Sequence, residues 1–169
     1  APSYAGPRAA NARPYERLLL LSSRAPDAAR YQAATLANVA VIAYDGSTVD
    51  DFGPTQIKEK IAHALGSRNV KSIGIHAPGG ADPPTIKITS THKTSAASLV
   101  KSPQLQNFWK SLAKNVDPSA GRVDLIQCIG GTAATAKGQD LVGKLRNLVK
   151  VKVEGHPVVS AKVAEGADK

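Results

Sequence analysis

Short apolar runs alternate along this chain with stretches of helical periodicity, and few folds accommodate that alternation. Arg17 to Ser22 holds Leu18, Leu19, Leu20 and Leu21 in succession, which predicts a strand buried on both faces. Val39 to Tyr44, Val70 to His76, Val123 to Cys128, Val151 to Val153 and Pro157 to Val163 read as further strands of the same sheet. Thr85 to Thr91 alternates apolar with polar residues and predicts a short strand with one wet face. Between the strands, Asp27 caps a helix from Ala28 to Asn38. Pro54 to Leu65 carries Ile57, Ile61 and Leu65 on one stripe. A third helix starts at Ser102-Pro103 and turns Leu105, Phe108, Trp109, Leu112 and Val116 inward. Gln139 to Lys150 is the fourth. Strand and helix alternating at short range predict an α/β fold, a three-layer sandwich around a mainly parallel six-stranded sheet. Residues 16–169 form its single domain, and residues 1–15 a flexible basic arm.

Composition narrows the classes. No apolar run approaches the roughly 18 residues of a membrane helix, so no span is expected. One cysteine excludes an internal disulfide. The chain has no methionine, which marks it as processed or as a fragment. Its first fifteen residues hold Arg8 and Arg13 but no acid, as transit-peptide remnants and plain linkers both do. A processed, organellar or secreted chain is one expectation; the compartment itself is open. The net charge of +9 favours anionic partners. Aromatic residues are 4% of the chain, too few for the stacking platforms of single-strand binders, so nucleic acid is not the expected partner.

Two strand ends carry the chemistry. His76 closes one apolar run and Gly79-Gly80 follow; Cys128 closes another and Gly130-Gly131 follow. If those strands are neighbours, their ends lie about 5 Å apart at one edge, and thiol and imidazole come within reach directly or through a small movement. Such a pair is a candidate nucleophile and base. The glycine pairs are candidate cleft or oxyanion elements, or plain turns. His63, His92 and His156 lack metal-ligand spacing, so neither metal nor cofactor is expected. His156 reads as part of a turn before Pro157, and Asp50-Asp51 as a recognition site for a basic side chain or a solvated loop. Lys144, Arg146, Lys150 and Lys152 cluster near the last helix, either as an anion site or as charges suited to a helix C-terminus.

At these residues the chain resembles the caspase-like cysteine peptidases. Within that clan it looks closest to the self-processing domains of bacterial toxins and to related bacterial surface-protein domains. The likeness spans about Arg17 to Lys162. His precedes Cys by roughly 50 residues, as in caspases. The caspase motif Gln-Ala-Cys-x-Gly has its counterpart in Gln127-Cys128-Ile129-Gly130-Gly131, and the His-Gly motif in His76-Ala77-Pro78-Gly79-Gly80. Aligned from the strand starts without a gap, however, the family His falls on Pro78 and the family Cys on Gly130. The resemblance implies a caspase-like sheet and a Cys128–His76 dyad acting on a protein or peptide substrate. It also implies an anionic activator of the inositol polyphosphate type at the basic cluster. In the shifted alignment it implies a catalytically inactive pseudo-peptidase, a structural or interaction subunit of a larger assembly. A flavodoxin-like small-molecule binder is the third reading, because α/β layouts serve many functions.

Overall fold

The computed structural model describes residues 15–34, 37–44, 54–81, 83–89, 91–126 and 136–156. Its centre is a sheet of five parallel strands, β1 (Arg17–Ser22), β2 (Val39–Tyr44), β3 (Ser72–His76), β7 (Arg122–Ile126) and β8 (Lys152–His156), in the spatial order β2-β1-β3-β7-β8. The helices are α1 (Ala28–Ala34), α2 (Pro54–Leu65), α3 (Ala96–Lys101), α4 (Pro103–Leu112) and α5 (Ala136–Val149). Between β3 and α3 the chain forms a second, antiparallel sheet of β4 (Gly79–Ala81), β5 (Pro84–Lys87) and β6 (Lys93–Thr94).

The strand order explains the layering. From β1 the chain steps to β2 on one side, then returns past β1 to β3 and continues outward to β7 and β8. Crossovers of one hand therefore place the first helix on one face and the later helices on the other. The four leucines of β1 divide accordingly, since successive strand residues point to opposite faces. Leu18 and Leu20 join the larger core with Ile57 and Ile61 of α2, Phe108 and Trp109 of α4, and Leu141 and Leu145 of α5. Leu19 and Leu21 join the smaller core with Tyr31 of α1, Val39 and Ile126. The result is an α/β protein with helices on both faces of a parallel sheet.

Local chemistry sets the boundaries. Ser102 caps α4, its hydroxyl accepting from the Leu105 N–H at 3.2 Å, and Pro103 opens the helix where no amide partner is needed. Ser95 and Ser98 form a reciprocal capping box that starts α3 just after β6. The Trp109 indole donates to the Thr94 hydroxyl at 3.0 Å, pinning the small sheet to α4. Tyr44 at the end of β2 donates to the Ile88 carbonyl at 2.7 Å and holds it from the other side.

Several sequence expectations need correction. The strand expected over Thr85–Thr91 is the shorter β5, and its partners β4 and β6 and the helix α3 were not anticipated. Val116 is not helical: α4 ends at Leu112, and Val116 bridges to Val70 ahead of β3. The helix expected to reach Asn38 ends at Ala34, with Ala37 and Asn38 in a turn. His156 closes β8 rather than sitting in a turn. The sixth strand expected at Pro157–Val163, the basic arm 1–15 except Tyr15, and Asp50-Asp51 lie outside the described residues.

Candidate functional site at the carboxyl rim

The strands that carry the proposed pair are neighbours. β3 and β7 run side by side, with His76 directly opposite Ile126, and on its other side His76 lies opposite Leu21 of β1. Cys128 comes two residues after Ile126; it, Gly130 and Gly131 lie outside the described residues.

His76 itself is enclosed. Its residue exposure is 0%. Nδ1 lies 3.0 Å from the Ile126 carbonyl oxygen and Nε2 lies 2.6 Å from the Pro26 carbonyl oxygen. The Tyr31 ring packs against the imidazole at a centroid distance of 4.1 Å and a tilt of 36°. A carbonyl oxygen only accepts, so each contact calls for an imidazole N–H; a neutral ring carries one, which donates to one of the two oxygens according to the tautomer. The ring thus ties three separate pieces together: the loop after β1, the end of β7, and α1 through Tyr31. Neither nitrogen is directed at solvent. A base must offer a lone pair to the proton it removes, and in this arrangement both nitrogens are turned to backbone oxygens.

Gly79 and Gly80 are strand residues, not an open loop. They pair with Ile86 and Thr85 in β4–β5, and the Pro78 carbonyl accepts from the Lys87 N–H at 2.8 Å. The segment after His76 is therefore committed to a ladder from its second residue onward, and Ala77 is fully buried.

The topological switch point of this sheet lies between β1 and β3, the place where open α/β sheets usually bind ligands. Here His76 and Tyr31 occupy that end of the strands. Neither Tyr31 nor the Pro26 carbonyl was anticipated as a partner of His76, because nothing in local sequence spacing brings a loop carbonyl and a helix ring to a strand end.

Of the other histidines, His92 sits in the turn before β6. Its Nδ1 is 2.7 Å from the Thr89 hydroxyl and 3.1 Å from that of Thr91, and burial holds its proton affinity below the ordinary imidazole value. Among the described residues no group of histidine, cysteine and acidic side chains is arranged to hold a metal.

The basic cluster lies at the opposite, amino edge of the sheet. Arg146, Lys150 and Lys152 line one cleft together with the loop Pro118–Gly121. Lys144 points elsewhere and pairs with Asp140 one helical turn away at 3.3 Å. Compared with known proteins, the chain matches no protein-family model, no curated protein and no solved structure at a significant level. No helix among the described residues is long and apolar enough to cross a membrane.

Proposed function

We propose that this chain is a non-catalytic binding or structural domain on a caspase-like frame, working through its surface as a subunit of a larger assembly. The observation that carries this reading is the enclosure of His76, with both ring nitrogens on backbone carbonyls and no exposed surface. A thiol's base needs an imidazole nitrogen that can approach it. An imidazole serving as a three-way structural tie meets a different requirement. The motif departures agree: Pro78, which has no N–H to donate, and Gly130 stand where an ungapped alignment would place the catalytic pair.

The test is cleavage that depends on Cys128. Wild-type chain and Cys128→Ala are incubated alone and with a broad mixture of peptides at neutral pH, then analysed by mass spectrometry. Both samples are expected to leave chain and peptides intact. Cleavage by the wild type that vanishes in Cys128→Ala would end this reading.

The second reading, a cysteine endopeptidase using Cys128 and His76, has one observation in its favour. β3 and β7 are adjacent and parallel, and His76 stands opposite a residue two short of Cys128. For that dyad to work, the His76 contact to Ile126 or Pro26 must open to free a nitrogen.

A further inference from the structure

We infer that the amino edge of the sheet, at the cleft between the Pro118–Gly121 loop and the junction of α5 with β8, is a docking surface for an extended acidic peptide segment of a partner protein. The inference rests on the binding-domain reading above and names the surface and the chemistry of its partner.

Backbone pairing arranges the charges. Arg17 of β1, Ser72 of β3, Arg122 of β7 and Lys152 of β8 are successive partners in the parallel ladder, so they form one line on one face of the sheet. Three strand spacings make that line about 14 Å long. The Arg17 guanidinium donates to the Ser72 hydroxyl at 3.0 Å, which draws it along the line. Arg122 forms an ion pair with Asp124 through Nε at 2.9 Å and 3.0 Å to the two carboxylate oxygens, which fixes its position and answers part of its charge within the fold. At the edge strand Lys152 also lines the cleft with Lys150 and Arg146, which come from the α5 side of the sheet. The cleft volume, about 680 Å³, is that of sites taking ligand-sized groups.

Three features mark this as more than a solvated basic rim. Among the described residues, neither Arg146 nor Lys150 forms an ion pair; Arg146 donates only to the Val153 carbonyl, at a long 3.4 Å. The acid of the facing loop, Asp117, does not answer these cations. Its carboxylate accepts from the Ser119 N–H and hydroxyl at 2.9 Å and from the Ala120 N–H at 3.3 Å, and those bonds hold its carboxyl below the ordinary range. Lys150 follows α5 with a φ of 66°, the left-handed conformation that glycine adopts freely and other residues at a cost. A lysine held where glycine is easier is the kind of backbone strain that clusters at ligand clamps.

The shape selects the occupant. Cations spread from Arg17 along the strand starts to Lys152, Lys150 and Arg146 at the edge suit a linear polyanion rather than a compact one. The wall opposite is formed by the short residues Ser119, Ala120 and Gly121, whose N–H groups are given to Asp117 within the turn, so the cations across the cleft carry the recognition. Phe108, Trp109, Tyr31 and Tyr44 are buried, so among the described residues these rings present no face on which bases stack.

Fluorescence anisotropy with a labelled hexaglutamate peptide tests the inference. Inorganic tripolyphosphate and oligo-dT serve as competitors. The peptide is expected to bind in low salt, and Lys150→Glu/Lys152→Glu to weaken it about tenfold or more. Lys93→Glu/Lys101→Glu, exposed positions that remove the same charge elsewhere, is expected to change it less than about twofold. Lys150→Gly, which relieves the backbone, is expected to weaken binding while the thermal midpoint holds or rises. Equal loss in both double variants makes the effect one of net charge and overturns the site. Tripolyphosphate or oligo-dT binding more tightly than the peptide, with the same sensitivity to Lys150→Glu/Lys152→Glu, overturns the occupant. Peptide binding that fails in a chain inert to Cys128-dependent cleavage removes this surface alone; Cys128-dependent cleavage removes the binding-domain reading beneath it.

Discussion

Removing the His76 ring should unfold this protein rather than merely silence it. His76→Ala deletes a fully buried ring that touches Tyr31 and leaves one of the two facing carbonyl oxygens, of Ile126 or Pro26, without its donor. Truncating a buried ring costs about 3–5 kcal/mol where phenylalanine is the case measured. Imidazole is smaller, so about 2–3 kcal/mol is the packing share. The one buried carbonyl left unpaired adds about 1–3 kcal/mol. A loss of about 4 kcal/mol follows, a large part of the 5–15 kcal/mol that holds a typical domain. His76→Phe separates the two contributions. It keeps a ring against Tyr31 and abandons the one hydrogen bond the imidazole donates, so about half the loss should remain. The assay is urea denaturation followed by far-UV circular dichroism, with free energies extrapolated to water. If His76→Ala lies within about 0.5 kcal/mol of wild type, the range of ordinary surface substitutions, the ring is not a structural tie. The argument against a catalytic His76 then loses its basis.

Two further outcomes follow from the same geometry. Gly121→Ala should destabilise by about 1–3 kcal/mol in the same denaturation assay, because a Cβ there would collide with the Asp117 carbonyl and come within 2.6 Å of a Val116 methyl; an unchanged midpoint would mean that the Asp117–Gly121 turn is looser than described. Stability should also fall on acidification in two steps. His92 takes a proton less readily folded than unfolded, so its step begins as pH drops through the ordinary imidazole range. Asp117 keeps its carboxylate more firmly folded, so its contribution is present above the ordinary carboxylate range and lost as pH falls below it. His92→Gln should remove the first step and Asp117→Asn the second, read from midpoints at a series of pH values.

How much of this was legible in the sequence depended on how local the cause was. The four leucines of β1 announced a strand with two buried faces, and they divide between two cores as alternation requires. Pro54–Leu65 was readable to the residue because its apolar stripe and its terminal Gly66, at a φ of 60°, are both local signals. Ser102-Pro103 announced α4 for the same reason. The small antiparallel sheet was not legible. β4 is Gly-Gly-Ala and β6 is two residues long, so neither has a period to read; they exist because Trp109 and Tyr44 bond to the segment from distant elements. At the rim, the neighbourhood of β3 and β7 could be guessed from their order, but the enclosure of His76 could not. Its partners are a loop carbonyl 50 residues earlier and one 50 residues later.

These two ends of the sheet bear on each other. The carboxyl rim is the usual ligand end of an open parallel sheet, and here the switch point between β1 and β3 is filled by an imidazole and a tyrosine ring. The charged groups gather instead at the amino edge, where β1, β7 and β8 each begin with a cation. That edge is not free of opposing fields. α5 ends there, and its C-terminus carries partial negative charge that Arg146 and Lys150 offset. Some of the cleft's charge is therefore used within the fold, and only the remainder acts on a partner. The two roles separate at Lys150. Were helix compensation its whole purpose, Lys150→Gly would trade backbone relief against a lost favourable charge of about 0.3–1 kcal/mol and leave peptide binding alone. A clamp strained for binding gives the opposite pattern, in which the fold gains or holds and the peptide is released.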